Sequence, residues 1–492
     1  MTSVRALLGV IAAALVAAPT LAAAQIAPAE YAARREALLA RVDSGVVVAF
    51  GNVEPVIYWP AFVQHPAFEY LTGFDEPDAA LVMVKRRGAS WSRIYVPPRN
   101  LRAEQFSGPR VGPAEVQAHT GLPGGELKAL RATVDSLVSA GLPLYTVSDV
   151  HTTDFTAEDS LTRGSSFVAA LRRDRPGLKA QSLDSVLFQV RALKSPAEVA
   201  LLRRAAEISA AGHRQAMLAL APGCNEGEIQ AVLEGTFRRM GGETPGYGSI
   251  VGSGPNALAL HYMRNTRVAR AGEVVVIDAA TAYQHYSADV TRTLPVTGRF
   301  TPDQRAIYQL VLDTQAALVR QIAADTAYLK AWNAGRDVME AGLARLGLIE
   351  APGARYDREG CPEPGCRQVG LYAWHGYGGH GIGLEVHDAT HYDTEPHAFR
   401  IGDVFTVEPG IYITPTMLDR LPDTPRNRAM IARLRPVMQR YANIGVRIED
   451  DYALTANGLE WLSKDVPRDP DAVEALMARP SPPLPGGGTC GS

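Results

Sequence analysis

Five residues with metal-binding side chains lie far apart in the chain, each within a distinctive local sequence. They are Asp278 in VVVIDA, Asp289 in ADVTRT, His380 in GHGIGL, Glu408 in FTVEPG and Glu449 in VRIEDD. Four carboxylates and one imidazole favour hard or borderline divalent cations over ions that prefer thiolate ligands. Because four negative charges match two such cations, and a pair of ions can activate water, this set indicates a di-metal hydrolase.

The sequence around these acids predicts strands that deliver them to one place. Residues 274–277 are all apolar, which predicts a buried strand ending at Asp278, and Asp289 follows at a distance that suits an adjacent strand after a turn. Arg447 and Glu449 alternate with apolar neighbours, so both are expected on one face of a strand. Taken alone, each acid is better explained by a salt bridge or a turn cap. Together, a metal removes the cost of burying them.

The order and context of these five residues resemble the pita-bread metallopeptidases, the family of methionine aminopeptidase, aminopeptidase P and prolidase. The segment HPAFEYLTGFDEPD at residues 65–78 is typical of the aminopeptidase P and prolidase branch. The resemblance runs from about residue 31 to about residue 476 and is greatest for aminopeptidase P, which removes an N-terminal residue that precedes proline. Several motifs in the right order make it more specific than one short motif.

The resemblance implies an α/β (α+β) architecture in two domains. An N-terminal creatinase or aminopeptidase-P-like α/β domain is expected over residues 25–190, and a pita-bread catalytic domain over residues 191–470. Helix starts within the second domain are predicted at Ser195 with Glu198, at Asn225 with Glu228, and at Thr301 with Gln304, where a capping side chain precedes an acid or amide by three residues.

The resemblance also implies a role for each ligand. Asp278 and Asp289 would hold one ion, His380 and Glu408 the other, and Asp289 and Glu449 would bridge the pair. Glu408 is also expected to accept a proton during catalysis. The implied cofactors are two divalent metal ions, with Mn²⁺ expected first and Zn²⁺ or Co²⁺ as alternatives.

Two further histidines match non-ligand histidines of the family. His261 and His387 are expected to stabilise the oxyanion, with His261 also contacting substrate, and to shuttle a proton to the leaving proline nitrogen. A purely structural role is the alternative for each. His375 is a candidate substrate-binding residue, but the segment between it and His380 is one residue longer than in the family. Its role therefore stays open.

Other candidate substrate contacts come from the same comparison. Arg447 resembles an arginine that lines the substrate cleft, with packing against Asp450 or Asp451 as the alternative. An apolar or aromatic wall for the proline ring is expected from His375, Tyr377 or Tyr262. The segment 415–441 is longer than in the family and carries apolar residues at helical spacing, which predicts an amphipathic surface helix, with a substrate lid or subunit contact as the alternative.

The two ends of the chain differ from the rest in composition. Residues 1–24 combine Arg5, an apolar run and a final Ala-Ala-Ala, which predicts a cleaved signal peptide, with a membrane anchor as the alternative. The mature protein is then expected to be periplasmic or secreted, and not membrane-bound. Residues 471–492 are predicted to form a flexible, proline- and glycine-rich tail. In an oxidising compartment, Cys361 and Cys366 are expected to form a local disulfide, with free thiols or a metal site as alternatives.

The predicted partners are small peptides. The 49 basic and 52 acidic residues leave a net charge of −3, so no basic excess favours nucleic acid. The expected activity is release of the N-terminal residue from peptides with proline at the second position. A prolidase, which cleaves Xaa-Pro dipeptides, is the nearest alternative, and a non-catalytic pita-bread binding protein is a remote one. Whether subunits pair into a homo-oligomer stays open.

Overall fold

The structure is a computed structural model that describes residues 25–55, 62–148, 162–362, 365–372, 378–393 and 396–480. The predicted signal peptide, His375, Tyr377 and the end of the chain after residue 480 lie outside the described residues. Helices and strands alternate along the chain, as predicted for a mixed α/β protein.

The first part of the chain builds one sheet with helices on both sides. Its helices are α1 (Pro28–Ala40), α2 (Pro66–Thr72), α3 (Leu101–Ser107), α4 (Val116–Thr120), α5 (Leu130–Ser139), α6 (Arg163–Asp174) and α7 (Asp184–Arg191). Its strands are β1 (Gly45–Phe50), β2 (Ala80–Arg86), β3 (Ala89–Val96), β4 (Gly124–Glu126), β5 (Leu144–Thr146) and β6 (Ala180–Ser182). They lie in the order β4-β3-β2-β1-β5-β6, with β1, β2 and β3 antiparallel and the outer strands parallel to their neighbours.

Both faces of this sheet are covered by apolar side chains. Val47 and Met83 pack into one core cluster, whereas Val46 and Val82 pack into another. Successive residues of a strand point to opposite faces, so the continuous apolar sequences of β1 and β2 serve both clusters.

The described residues of the second part of the chain form six α-helices and several short strands. Its helices are α8 (Pro196–Ala219), α9 (Glu226–Arg239), α10 (Pro302–Val319), α11 (Tyr328–Arg345), α12 (Pro425–Arg440) and α13 (Pro470–Met477). Its strands are β7 (Ile250–Ser253), β8 (Val274–Asp278), β9 (Ala282–Tyr283), β10 (Tyr286–Ser287), β11 (Thr291–Pro295), β12 (Arg355–Tyr356), β13 (Cys366–Arg367), β14 (Val404–Val407), β15 (Gly410–Tyr412), β16 (Gly445–Arg447), β17 (Asp450–Thr455) and β18 (Gly458–Trp461). Short pairings join them in the orders β11-β8-β7, β14-β17-β18, β15-β16, β9-β10 and β12-β13.

The three predicted helix starts are confirmed. Ser195, Asn225 and Thr301 each cap a helix. In each case the acid or amide three residues later accepts a hydrogen bond from the capping residue's backbone N–H, which completes a capping box. The predicted domain boundary near residue 190 falls at the end of α7, just before the first of these helices.

Buried ion pairs join the first part of the chain to the second. Arg34 of α1 lies 3.2 Å from Glu198 of α8. Arg191 of α7 lies 3.0 Å from Glu385 and 2.8 Å from Asp388, two residues of the segment that carries His387. The N-terminal domain therefore contacts the loop beside the predicted active site directly.

The C-terminal prediction is wrong in part. Residues 471–477 belong to α13, and Val473 and Leu476 are buried in the main core, so this segment is a packed helix and not a flexible tail. The proline- and glycine-rich composition on which the tail prediction rests begins only after this helix.

Two smaller predictions are confirmed. Cys361 and Cys366 form the expected disulfide. The amphipathic helix predicted in residues 415–441 is α12, which buries Met430 and Leu434 while its arginines pair with acids on neighbouring surface segments. Among the described residues, no helix combines the length and the apolar character needed to cross a membrane.

Arg292 of β11 holds together the strands that carry the predicted ligands. Its side chain is fully buried and donates to the carbonyl oxygens of Thr291 at 2.8 Å and Glu449 at 2.7 Å. It also donates to the Asp450 carboxylate at 2.6 Å, which accepts a further bond from Arg468. Although burial opposes ionisation, the two arginines hold the pKa of Asp450 below its usual value.

Replacing Arg292 by methionine should lower the free energy of unfolding by about 3 kcal/mol, because the buried Asp450 carboxylate is left with Arg468 as its one charged partner among the described residues. The matched control is Arg203→Met, which breaks a half-exposed pair with Glu460 and should cost less than about 1 kcal/mol. Urea denaturation of both variants measures the difference. Equal effects would show that the Arg292 network does not stabilise the catalytic domain.

Candidate metal centre and active site

All five predicted ligands lie in the wall of one cavity of about 290 Å³ in the second domain. The same wall includes three further predicted site residues, His261, His387 and Arg447. Residues separated by nearly two hundred positions in sequence are thus brought together, as predicted. The predicted site residues His375 and Tyr377 lie outside the described residues.

The first two carboxylates come from paired strands. β8 and β11 are antiparallel, with Asp278 opposite Thr291, and Asp289 lies two residues before Thr291. The Tyr247 hydroxyl lies 2.6 Å from an oxygen of Asp278 and 2.6 Å from an oxygen of Asp289. Because one hydroxyl carries one proton, it can donate to only one of these oxygens at a time. The second contact needs another positive charge nearby.

His380 lies among the remaining ligands. Its Nε2 atom is 3.4 Å from an oxygen of Asp289, 3.4 Å from an oxygen of Glu408 and 4.0 Å from an oxygen of Glu449. One ligand atom each from Asp289, His380 and Glu449 lies within 4.8 Å of the others, a spacing that could hold a metal ion. Asp289 thus contacts both the Asp278 side and the His380 side of the cavity.

Glu449 gives the clearest indication of a cation. Its Oε2 atom accepts a hydrogen bond from the Thr291 hydroxyl at 2.6 Å, whereas its Oε1 atom is buried and accepts none among the described residues. An unpaired buried carboxylate oxygen is costly. Since Oε1 points toward His380, the residues present fit a metal ion at this position.

The electrostatics of the cavity agree with this interpretation. Burial, followed by the charges of neighbouring carboxylates, raises the pKa of Glu449 well above its usual value and also raises that of Asp289. Burial is the main reason that the pKa of Glu408 rises to about 7. Although burial disfavours its charged form, the hydrogen bond with Asp289 and the charge of Glu408 raise the pKa of His380 to about 9. Divalent cations would relieve the repulsion among these acids.

Arg447 lines the cavity and also holds its ligands. Its guanidinium pairs with the Asp278 carboxylate and donates to the Thr291 hydroxyl at 3.1 Å and the Tyr412 hydroxyl at 2.9 Å. The alternative of packing against Asp450 is not observed, because Asp450 pairs with Arg292 and Arg468.

The two predicted non-ligand histidines lie at the accessible side of the cavity. His261 and His387 are both exposed lining residues. The His387 ring lies 4.0 Å from the His380 ring, centroid to centroid, in an edge-to-face arrangement. Exposed imidazoles beside buried ligands can exchange protons with solvent and with a bound substrate.

Sequence reasoning missed several residues of the site. Tyr247 and Thr291 contact the ligands directly, yet a single tyrosine in a loop and a threonine in a strand give no chemical signal. Trp332 and Tyr412 supply the aromatic wall of the cavity. Tyr262, one of the residues expected to do so, instead donates its hydroxyl to Glu226 and is absent from the described lining.

Comparison with known proteins assigns the family. Residues 200–456 match Metallopeptidase family M24, and residues 31–140 match the Aminopeptidase P, N-terminal domain. The chain is 32% identical over 469 residues to the Xaa-Pro aminopeptidase of Escherichia coli (strain K12), covering 92% of this chain and 98% of that protein. It is 32% identical over 485 residues to Xaa-Pro aminopeptidase 2 of Streptomyces coelicolor, covering 92% and 93%.

A solved structure gives the same result. Proline aminopeptidase P II from Yersinia pestis superposes with a TM-score of 0.76 at 30% identity, over 92% of this chain and all of that chain. The predicted fold class, an α/β N-terminal domain followed by a pita-bread catalytic domain, is confirmed. Fold and site together define a metal-dependent peptidase. The chain belongs to metallopeptidase family M24.

Asp289→Ala should lose bound metal, whereas His387→Ala should retain it. Asp289 contacts both halves of the ligand set, while His387 is exposed and lies beside it. Metal per chain, measured by elemental analysis after dialysis against Mn²⁺, distinguishes the two variants. If His387→Ala loses metal as Asp289→Ala does, His387 is a ligand and its interpretation as a proton shuttle is wrong.

Proposed function

We propose that this protein is an aminopeptidase that releases the N-terminal residue from peptides with proline at the second position. The observation that carries the proposal is the convergence of five ligand side chains and two exposed histidines in one cavity. The similarity to Xaa-Pro aminopeptidases over nearly the whole chain supports the specificity. A non-catalytic role is disfavoured because all five ligands are present in the cavity wall.

The proposed cofactor is a pair of Mn²⁺ ions. Asp278, Asp289, His380, Glu408 and Glu449 would hold them, and four carboxylates against one imidazole make an oxygen-rich set that suits Mn²⁺ better than Zn²⁺. When bound, such a pair activates water and polarises the scissile carbonyl.

The residues of the chain account for the remaining steps. Glu408, whose buried carboxyl has a raised pKa, lies where it can accept a proton from the attacking water. The leaving nitrogen of a bond to proline carries no hydrogen in the substrate, so it must be protonated as the bond breaks. His387 and His261 are the exposed imidazoles in the cavity wall that can supply this proton. Trp332 and Tyr412 offer an aromatic wall for the proline ring.

We also propose that the protein is exported and acts in the periplasm or as a secreted enzyme. Arg5, the apolar run after it and the Ala-Ala-Ala before Gln25 support a cleaved signal peptide. The Cys361–Cys366 disulfide agrees with an oxidising compartment. N-terminal sequencing of the protein from its native host tests the proposal. A chain beginning near Gln25 supports it, and an intact Met1 contradicts it.

The Mn²⁺-loaded enzyme should cleave Ala-Pro-Ala at least about ten times more efficiently than Ala-Ala-Ala, because the proline-shaped wall and the proton shuttle favour the tertiary amide. Product analysis by mass spectrometry measures kcat/KM for each peptide. Equal cleavage of the two peptides would refute the proline specificity, but it would not contradict the proposal of a di-metal peptidase.

The dipeptide Ala-Pro, assayed beside a longer peptide such as Ala-Pro-Ala-Ala, separates the proposal from prolidase. Cleavage of the longer peptide supports an aminopeptidase. Cleavage of the dipeptide alone would identify a prolidase.

A further inference from the structure

A second cavity, of about 520 Å³, adjoins the metal cavity and lies between the two domains. Its wall includes Gln64 and Glu69 from the N-terminal domain and Glu243 from the catalytic domain. His387 lines both cavities. Tyr247 lines the second one while its hydroxyl contacts two metal-ligand residues of the first. A substrate held at the metal centre can therefore extend into this space.

Acidic side chains gather in this second cavity around one histidine. Glu69, Asp75 and Glu243 all line it, and so does His285. The Nε2 atom of His285 lies 3.7 Å from an Asp75 carboxylate oxygen, and its backbone N–H donates to Glu243 at 3.1 Å. His285 is held in the left-handed region, with φ of 67°, in the turn between β9 and β10. Gln284 also has positive φ, as a two-residue hairpin turn requires, and this turn fixes the position of His285 beside the acids.

Glu69 is the unusual member of this cluster. Glu69 is only 8% exposed, and its Oε2 atom is buried with no hydrogen-bond partner among the described residues. It lines the 520 Å³ cavity and also a cavity of about 400 Å³ on the other side, together with Asp75, Glu243 and His285. A buried carboxylate oxygen without a partner is costly, and a cation or donor bound at the cavity wall would remove that cost.

The neighbouring arginines are engaged elsewhere. Arg34 pairs with Glu30 at 2.7 Å and Glu198 at 3.2 Å. Arg238 lines the cavity, but its guanidinium donates to the carbonyl oxygens of Gly242 and Glu243. Neither arginine forms an ion pair with Glu69, so the Glu69 carboxylate, when ionised, is available to a ligand.

The geometry favours an organic cation over a metal ion. Among the described residues, only Asp289, His380 and Glu449 have side chains close enough to share one metal ion. Glu69, Asp75, Glu243 and His285 do not form such a group. The cavity also has apolar walls from Val63, Leu384 and other side chains. Such walls suit the aliphatic stem of lysine or arginine, with the charged end placed among the acids.

We propose that this cavity binds a cationic side chain of the substrate's N-terminal residue, so that peptides beginning Arg-Pro or Lys-Pro are preferred. The inference rests on the proposed aminopeptidase function and adds its specificity. Trp332 and Tyr412, the proposed wall for the proline ring, line the metal cavity and not the second cavity. The second cavity is therefore assigned to the residue before proline. Glu69 is then a specificity-determining residue.

The preference should depend on pH. Burial raises the pKa of Glu69 to about 7. The charged or titratable groups facing it are Tyr31, Arg34, Asp75, Glu243 and His285. A carboxyl with a raised pKa is neutral below that value and charged above it. The preference for a cationic residue should therefore be weak at about pH 6 and strong at about pH 8.

The test compares arginine with citrulline, which has nearly the same shape but no charge. At about pH 8 the Mn²⁺-loaded enzyme should cleave Arg-Pro-Ala about ten times more efficiently than citrulline-Pro-Ala, as expected for a charged hydrogen-bond pair. Glu69→Gln should reduce this ratio to about two or less. Glu36→Gln, on the exposed face of α1, removes the same charge away from the cavity and should leave the ratio unchanged.

Taking a ratio cancels the pH dependence of the shared catalytic machinery. If Glu69→Gln melts below the assay temperature, Asp75→Asn replaces it, and the ratio should fall there as well. Equal cleavage of the two peptides by the wild-type enzyme overturns the inference, as does a ratio that neither variant lowers. Either result leaves the proposed function intact provided that Ala-Pro-Ala is still preferred over Ala-Ala-Ala, whereas loss of that preference overturns the proposed function.

Discussion

The burial of four carboxylates around one imidazole is the interaction on which the rest of the catalytic domain depends. Glu449 keeps an unpaired buried oxygen, and Asp278 and Asp289 compete for one tyrosine proton. Arg447 offsets part of this charge from within the cavity. Cations that bind this cluster would relieve the repulsion, so metal binding would stabilise the folded arrangement of these strands.

The surrounding structure keeps the ligands in register despite that repulsion. β8 and β11 bring Asp278 and Asp289 together through their pairing. Arg292 then joins β11 to the segment of Glu449 through carbonyl oxygens on both sides. The N-terminal domain lines the cavity beside the metal ligands and contributes none of the five candidate ligands. It supplies Glu69 to the adjoining cavity and Arg191 to the loop of His387.

The sequence predicted the parts of the site that have a chemical signature. Acids and a histidine in recognisable local sequences gave five candidate ligands that line one cavity, and capping residues gave three helix starts. Residues that act only through their position could not be found in this way. Tyr247 and Trp332 reach the site through tertiary packing, and Glu69 becomes noteworthy only when the fold buries it. Residues 471–477 were misassigned because α13 is stabilised by contacts with the core.

Anomalous diffraction at the manganese edge, from crystals grown with Mn²⁺, tests the central claim most directly. The account predicts two peaks in the 290 Å³ cavity, held by the side chains of Asp278, Asp289, His380, Glu408 and Glu449. It also predicts that the unpaired oxygen of Glu449 becomes a ligand. A cavity without peaks at saturating Mn²⁺, or an ion bound only outside these five side chains, would contradict it.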